Sequence, residues 1–121
     1  MMLVKLWIRD PDGVERILAV ELVRAYVIGR GSQADVHVPD SRVSRRHAVL
    51  ELDPEGSPAI RDIGSRHGIT LDGFRVSQLE PTVLNAGSSL RLGDTRIRVL
   101  AIDDTDGRYR ALSTDGTPLI L

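Results

Sequence analysis

Hydrophobic positions in this chain come in short runs with a two-residue period. In Arg96-Ile97-Arg98-Val99, and again in Glu51-Leu52, a charged residue alternates with an apolar one, the pattern of a strand with one face in a core and the other in water. Such runs predict eleven strands, over residues 3–9, 14–21, 25–29, 35–38, 47–52, 59–63, 69–71, 74–76, 82–84, 88–92 and 95–102. No stretch holds a helical period for three turns. Turn formers separate the runs: Asp10-Pro11-Asp12-Gly13, Asp53-Pro54-Glu55-Gly56, Asp72-Gly73, Gly93-Asp94, Asp106-Gly107 and Asp115-Gly116. In these, Gly supplies a positive φ and Pro fixes it. Many short strands with frequent turns predict an all-β sandwich or barrel with the core between two sheets. The tail from residue 103 to 121 reads as one more hairpin around Thr114-Asp115-Gly116-Thr117 or as a linker.

The composition narrows this to one soluble domain. A chain of 121 residues fits a single core, and 41% hydrophobic with 27% charged residues is the balance of a folded globular protein. Aromatics are only 3%, so the core is expected to be Val, Ile, Leu and Ala, with Trp7, Tyr26, Phe74 and Tyr109 as its large pieces; the β-branched share favours sheet. A net charge of −1 argues against a nucleic-acid binder, which needs a clear excess of cations over one face. Without cysteine there is no disulfide, thiolate chemistry or cysteine zinc site. No apolar run approaches the roughly 18 residues that span a bilayer, and the N-terminus has no signal-peptide pattern, so the expectation is a cytoplasmic protein with no membrane partner.

Chemistry concentrates in three turns. Gly29-Arg30 ends an apolar run, Val43-Ser44-Arg45-Arg46-His47-Ala48 lies where a loop enters a strand, and Gly64-Ser65-Arg66-His67-Gly68 forms a third turn. Taken singly, each has a plain structural reading. Arg30 is then a solubilising strand end, Ser44 a turn cap with Arg45 and Arg46 as a charged edge that discourages aggregation, and the third turn a polar hairpin. Together they place Arg30, Ser44, Arg45 and Arg66 on loops carried by rigid strands. The planar fork of Arg suits a phosphate, so one shared anion pocket is the natural product.

The order of these pieces resembles the forkhead-associated (FHA) family of phosphothreonine-peptide binders. Its pattern runs Gly-Arg, Ser-x-x-His, Ser-x-Asn-Gly, an apolar residue with Asn-Gly or Asp-Gly, and a late Gly-Asp. Here these are Gly29-Arg30, Ser44-Arg45-Arg46-His47, Ser65-Arg66-His67-Gly68, Leu71-Asp72-Gly73 and Gly93-Asp94, within a motif core of residues 26–100. The resemblance implies an eleven-stranded β-sandwich over residues 1–102, with the binding loops at one end and residues 103–121 as the C-terminal hairpin or linker. It implies that Arg30 contacts the phosphate or supports the peptide backbone, that Ser44 donates to a phosphate oxygen, and that Arg45 and Arg66 occupy further contact positions. It gives His47 a structural role along with Gly29, Gly68 and Gly73. It also implies a non-catalytic module with no cofactor and no metal, whose partner is a Thr-phosphorylated protein or peptide in a Ser/Thr kinase pathway.

One residue departs from the pattern. His67 stands where the family usually has Asn, and Ile69 where Thr is common. Neutral imidazole keeps one donor and one acceptor, in another geometry, and brings a side chain of the class that changes charge near neutral pH. This departure motivates an alternative function, an FHA fold kept as a structural or assembly domain that binds its partner without phosphate. Arg42, just ahead of Ser44, is a further candidate for specificity toward an acidic residue following the phosphothreonine. An enzymatic reading, with Ser44 and His47 as a hydrolase pair or His37, His47 and His67 as a metal site, lacks any carboxylate at a recognised spacing.

Overall fold

A computed structural model describes residues 1–104, 110–112 and 118–120. Every regular element among them is a strand, and no helix is long and apolar enough to cross a membrane. The strands are β1 (Met2–Arg9), β2 (Glu15–Glu21), β3 (Tyr26–Gly29), β4 (Val36–His37), β5 (Ala48–Leu52), β6 (Pro58–Asp62), β7 (Ile69–Leu71), β8 (Phe74–Arg75), β9 (Thr82–Val83), β10 (Ser89–Leu92), β11 (Thr95–Asp104), β12 (Arg110–Leu112) and β13 (Pro118–Ile120). The first eleven form two sheets. One has the order β2-β1-β11-β10-β7-β8, and the other β4-β3-β5-β6-β9. All neighbours pair antiparallel except β3 with β4. In the tail, β12 pairs with β13 as a separate two-stranded ribbon; the turn expected at Thr114-Asp115-Gly116-Thr117 lies outside the described residues.

Alternation places the core. On β1, Val4, Leu6 and Ile8 point inward while Lys5 and Arg9 are exposed; on β11, Ile97 and Val99 are buried between exposed Arg96 and Arg98. Ile28, Val36, Ala48, Leu50 and Ile60 face them from the second sheet, joined by Val38, Val43 and Leu84 from loops. Each fully buried Val, Leu or Ile contributes about 1.5–3 kcal/mol of hydrophobic free energy, so these residues set the register of both sheets. In β11 the continuous run Val99-Leu100-Ala101-Ile102 hides a break in that register. Leu6 pairs with Val99 but Lys5 with Ala101, so Leu100 is the extra residue of a β-bulge and is left 42% exposed. The bulge resets the alternation and returns Ile102 to the side of Val4.

Of the aromatics expected as large core pieces, Tyr26 packs partly buried against the core, but Phe74 does not belong to it. Phe74 is 79% exposed, because it follows an Asp72-Gly73 turn with positive φ at both residues on a two-residue edge strand. Trp7 and Tyr26 are half-buried. Trp7 Nε1 donates to Glu15 (2.9 Å), and Arg24 lies over the Tyr26 ring at 4.1 Å. Tyr109 lies outside the described residues.

Candidate functional site

The loops that follow β3, β4, β6 and β10 are tied to one another by polar contacts. Gly29 brings the first two together. A Cβ at this position would lie 2.1 Å from the Arg45 carbonyl oxygen, so only glycine lets the end of β3 run against the Ser44–Arg45 backbone. Beyond it, the Arg30 N–H donates to Ser44 O (3.0 Å) and the Gly31 N–H to Arg45 O (3.1 Å). The Arg30 guanidinium uses Nε to donate to Val43 O (3.0 Å), which aims the exposed remainder of the fork outward beside Ser44.

His47 joins the second loop to the third. It is fully buried; its Nδ1 accepts the Ser44 N–H (3.0 Å), and its Nε2 lies 2.7 Å from Gly68 O. An Nδ1 that accepts carries no proton, so the ring is the neutral tautomer and Nε2 donates. Burial holds this imidazole below the usual histidine range, against the pull of the Gly68 carbonyl and of the Asp62 charge. Both nitrogens are committed to backbone groups, and it is the Ser44 amide, not its hydroxyl, that meets the ring. That geometry does not make a hydrolytic pair. Among the described residues, no group of three or more metal-ligating side chains is gathered.

Two buried carboxylates shape the same loops, and sequence reasoning missed both. Asp62 accepts the N–H groups of Gly64 (3.0 Å) and Ser65 (2.7 Å) and the Ser65 hydroxyl (2.7 Å), while Ser65 Oγ accepts the Gly68 N–H (2.8 Å). Asp40 reaches across the molecule: Oδ1 accepts the Arg42 N–H (2.8 Å), and Oδ2 accepts the Asp94 N–H and the Thr95 hydroxyl (both 2.8 Å). Burial pushes the Asp40 carboxyl upward, but the donors from Arg42, Thr95 and Asp94 outweigh it and hold the group below the usual carboxylate range. Asp40, between Pro39 and Ser41, looks like an ordinary turn aspartate, and Asp62, between Arg61 and Ile63, looks like a charged strand end.

The result is a constellation at one end of the sandwich. Ser44 Oγ accepts the Arg66 N–H (3.0 Å), and no acceptor among the described residues takes its hydroxyl proton. The side chains of Arg45 and Arg66 are exposed and make no hydrogen bond or ion pair with any described residue. Arg30, Ser44, Arg45 and Arg66 are thus brought onto mutually bonded loops. His67 is exposed and, with Arg42, lines an adjoining cleft that Gly68 also borders. Gly73 lies away from these loops, in the β7–β8 turn.

The family model of the FHA domain matches residues 26–93. The chain belongs to the FHA family. As an FHA domain it is 37% identical over 79 residues to the protein phosphatase 1 regulatory inhibitor subunit PPP1R8 homolog of Arabidopsis thaliana, covering 64% of this chain and 21% of that protein. It is 38% identical over 74 residues to the FHA domain-containing protein FhaA of Mycobacterium tuberculosis, covering 60% of this chain and 13% of that one. The chain therefore spans only about a fifth of the first of these curated relatives and 13% of the second. Among solved structures it resembles the FhaA FHA domain complexed with the intracellular domain of Rv3910 (TM-score 0.66, 31% identity, 79% of this chain and 98% of that one). It also resembles a domain solved in a structural and functional study of phosphothreonine-dependent FHA domain interactions (TM-score 0.65, 29% identity, 78% of this chain and 94% of that one). The two-sheet sandwich described above is the fold these FHA domains share.

Proposed function

We propose that this FHA domain is a phosphothreonine-dependent protein-interaction module, non-catalytic and switched by a Ser/Thr kinase and a phosphatase. The observation that carries the reading is the Ser44–Arg66 link: a hydroxyl with a free proton, held beside three arginines whose outer forks have no carboxylate partner. A phosphothreonine brings about −1.5 to −2 charges and three acceptor oxygens. In this reading Ser44 Oγ donates to one oxygen, Arg30 and Arg45 neutralise the group, and Arg66 closes over it. His67 contacts the peptide backbone through its remaining ring donor and acceptor, and Arg42 lies toward the residues that follow the phosphothreonine.

Hydrogen bonds to a charged acceptor contribute roughly 1.5–3 kcal/mol each. Three or four of them, less the cost of ordering peptide and loops, reach the roughly 8 kcal/mol of a micromolar complex. Unphosphorylated threonine offers none of this. Preference for phosphothreonine over phosphoserine rests on one methyl group, on the order of 0.8 kcal/mol when buried.

The test is a phosphothreonine peptide library titrated against wild type, Arg30→Ala and Ser44→Ala. Equal binding by all three sinks the proposal. Partner complexes that survive phosphatase treatment would instead support the phosphate-independent assembly role raised by His67.

A further inference from the structure

The cleft beside His67 has a composition that a single phosphothreonine does not use. It encloses about 350 Å³ and is lined by Arg42, His67, Gly68, Thr70, Arg75 and Arg91, with no carboxylate among them. Strand register builds it. Arg91 on β10 pairs with Thr70 on β7, and Thr70 with Arg75 on β8, so the three stand in one row on the solvent face of the sheet. The row continues the other way, Arg91 opposite Arg96 and Arg96 opposite Arg9. Like charges directly opposite across a ladder are destabilising, and the row meets a carboxylate only at its far end, where Glu15 stands opposite Arg9.

Two further details fix the cleft's charge. The Arg75 guanidinium stands where a Gly68 side chain would be, 2.5 Å from the position of a Cβ there, and makes no hydrogen bond or ion pair with any described residue. Arg42 and Arg91 share one carboxylate, Asp94, at 3.6 Å each, and all three are largely exposed; Arg91 Nε also donates to Gly93 O (3.1 Å). Three guanidiniums against one carboxylate leave a surplus of two positive charges, with the Thr70 hydroxyl as a further donor.

The cleft is close to the Ser44 site. Ser44 Oγ is bonded to the Arg66 amide, and two residues further along the chain is Gly68, a span of at most about 7 Å. An extended peptide rises about 3.3 Å per residue, so a side chain two to four positions from the phosphothreonine reaches it. The geometry points to a second anion subsite in which Arg75 and Arg91, with Arg42, take a second phosphoryl group, so that the domain reads a doubly phosphorylated segment. This rests on the phosphothreonine function proposed above. A surplus of two charges matches a phosphoryl dianion better than a carboxylate, and paired Arg forks suit its oxygens.

The test compares phosphothreonine peptide pools carrying Ser, Glu or phosphoserine at each of positions +2, +3 and +4, titrated against wild type and an Arg75→Gln/Arg91→Gln variant. Phosphoserine at one of these positions is expected to tighten wild-type binding about ten-fold or more over Ser, the equivalent of one charge-assisted hydrogen bond, and to exceed Glu. The variant is expected to lose that gain while binding the Ser pool as wild type does, which also shows that it is folded. No gain from phosphoserine while the Ser pool still binds overturns the second subsite alone, as does a gain that survives in the variant. Glu equalling phosphoserine overturns the choice of a phosphoryl group. Failure of every pool, the doubly phosphorylated ones included, overturns the function on which it rests.

Discussion

Replacing His47 by Leu keeps the apolar volume and removes both ring nitrogens, so it isolates the bridge between the Ser44 and Gly68 loops. The Gly68 carbonyl, buried where it meets Nε2, is left without a donor, at about 1–3 kcal/mol. The partly buried Ser44 N–H loses its acceptor, at about 0.5–1.5 kcal/mol. Together these amount to about 1.5–4.5 kcal/mol, a large share of the 5–15 kcal/mol typical of a domain, and correspond to a fall in Tm on the order of 10 °C. Denaturant unfolding at several pH values supplies a second readout. Burial holds the folded-state imidazole below the usual range, so below about pH 6.5 the unfolded chain binds the proton more readily. The His47 contribution is therefore present above that pH and is lost as pH falls through the folded value. The stability gap between wild type and His47→Leu should narrow from pH 7.5 to pH 5. A gap under about 1 kcal/mol at pH 7.5, or one that stays constant on acidification, would refute the bridging account.

Other substitutions probe the same loops. Ser44→Ala and Arg30→Ala should each weaken a phosphothreonine peptide about 10- to 150-fold by calorimetry, from the loss of roughly 1.5–3 kcal/mol, with a fall in melting temperature of only a few degrees for Arg30→Ala from its lost bond to Val43 O. Gly29→Ala puts a methyl 2.1 Å from the Arg45 carbonyl oxygen; the loop must shift, costing about 1–3 kcal/mol in denaturant unfolding and weakening the phosphopeptide as well. Asp40 is held below the usual carboxylate range by its donors, so its contribution is present above about pH 4 and disappears as pH falls through the folded value; Asp40→Asn should flatten the acid limb of a stability profile below about pH 4.

The fold was largely legible because its signals are local. The eleven strands expected from alternation and turn residues all occur, with ends that differ by no more than two residues. The misreadings have tertiary causes. Nothing in Val99-Leu100-Ala101-Ile102 says which residue a bulge will expel, since that depends on the partner Leu6 and Lys5 in β1. Phe74 was assigned to the core by residue type, whereas the short β8 at the sheet edge leaves it in solvent. At the site, Arg30, Ser44, Arg45 and Arg66 are visible in the sequence as loop residues around a known order of motifs. Asp40 is not, because its partners Asp94 and Thr95 lie more than fifty residues away. Arg75 and Arg91 likewise look like solvated strand charges until β7 is seen between their strands.

The central claim is that these loops hold one phosphate, and amide chemical-shift mapping tests it most directly. On adding a phosphothreonine peptide pool to the isotopically labelled protein, the largest shifts should fall on the amides of residues 30, 44, 45 and 66–68, and the same pool with unmodified threonine should leave them in place. Shifts of equal size from the unmodified pool, or shifts confined to the outer face of β1 and β2, would contradict the account.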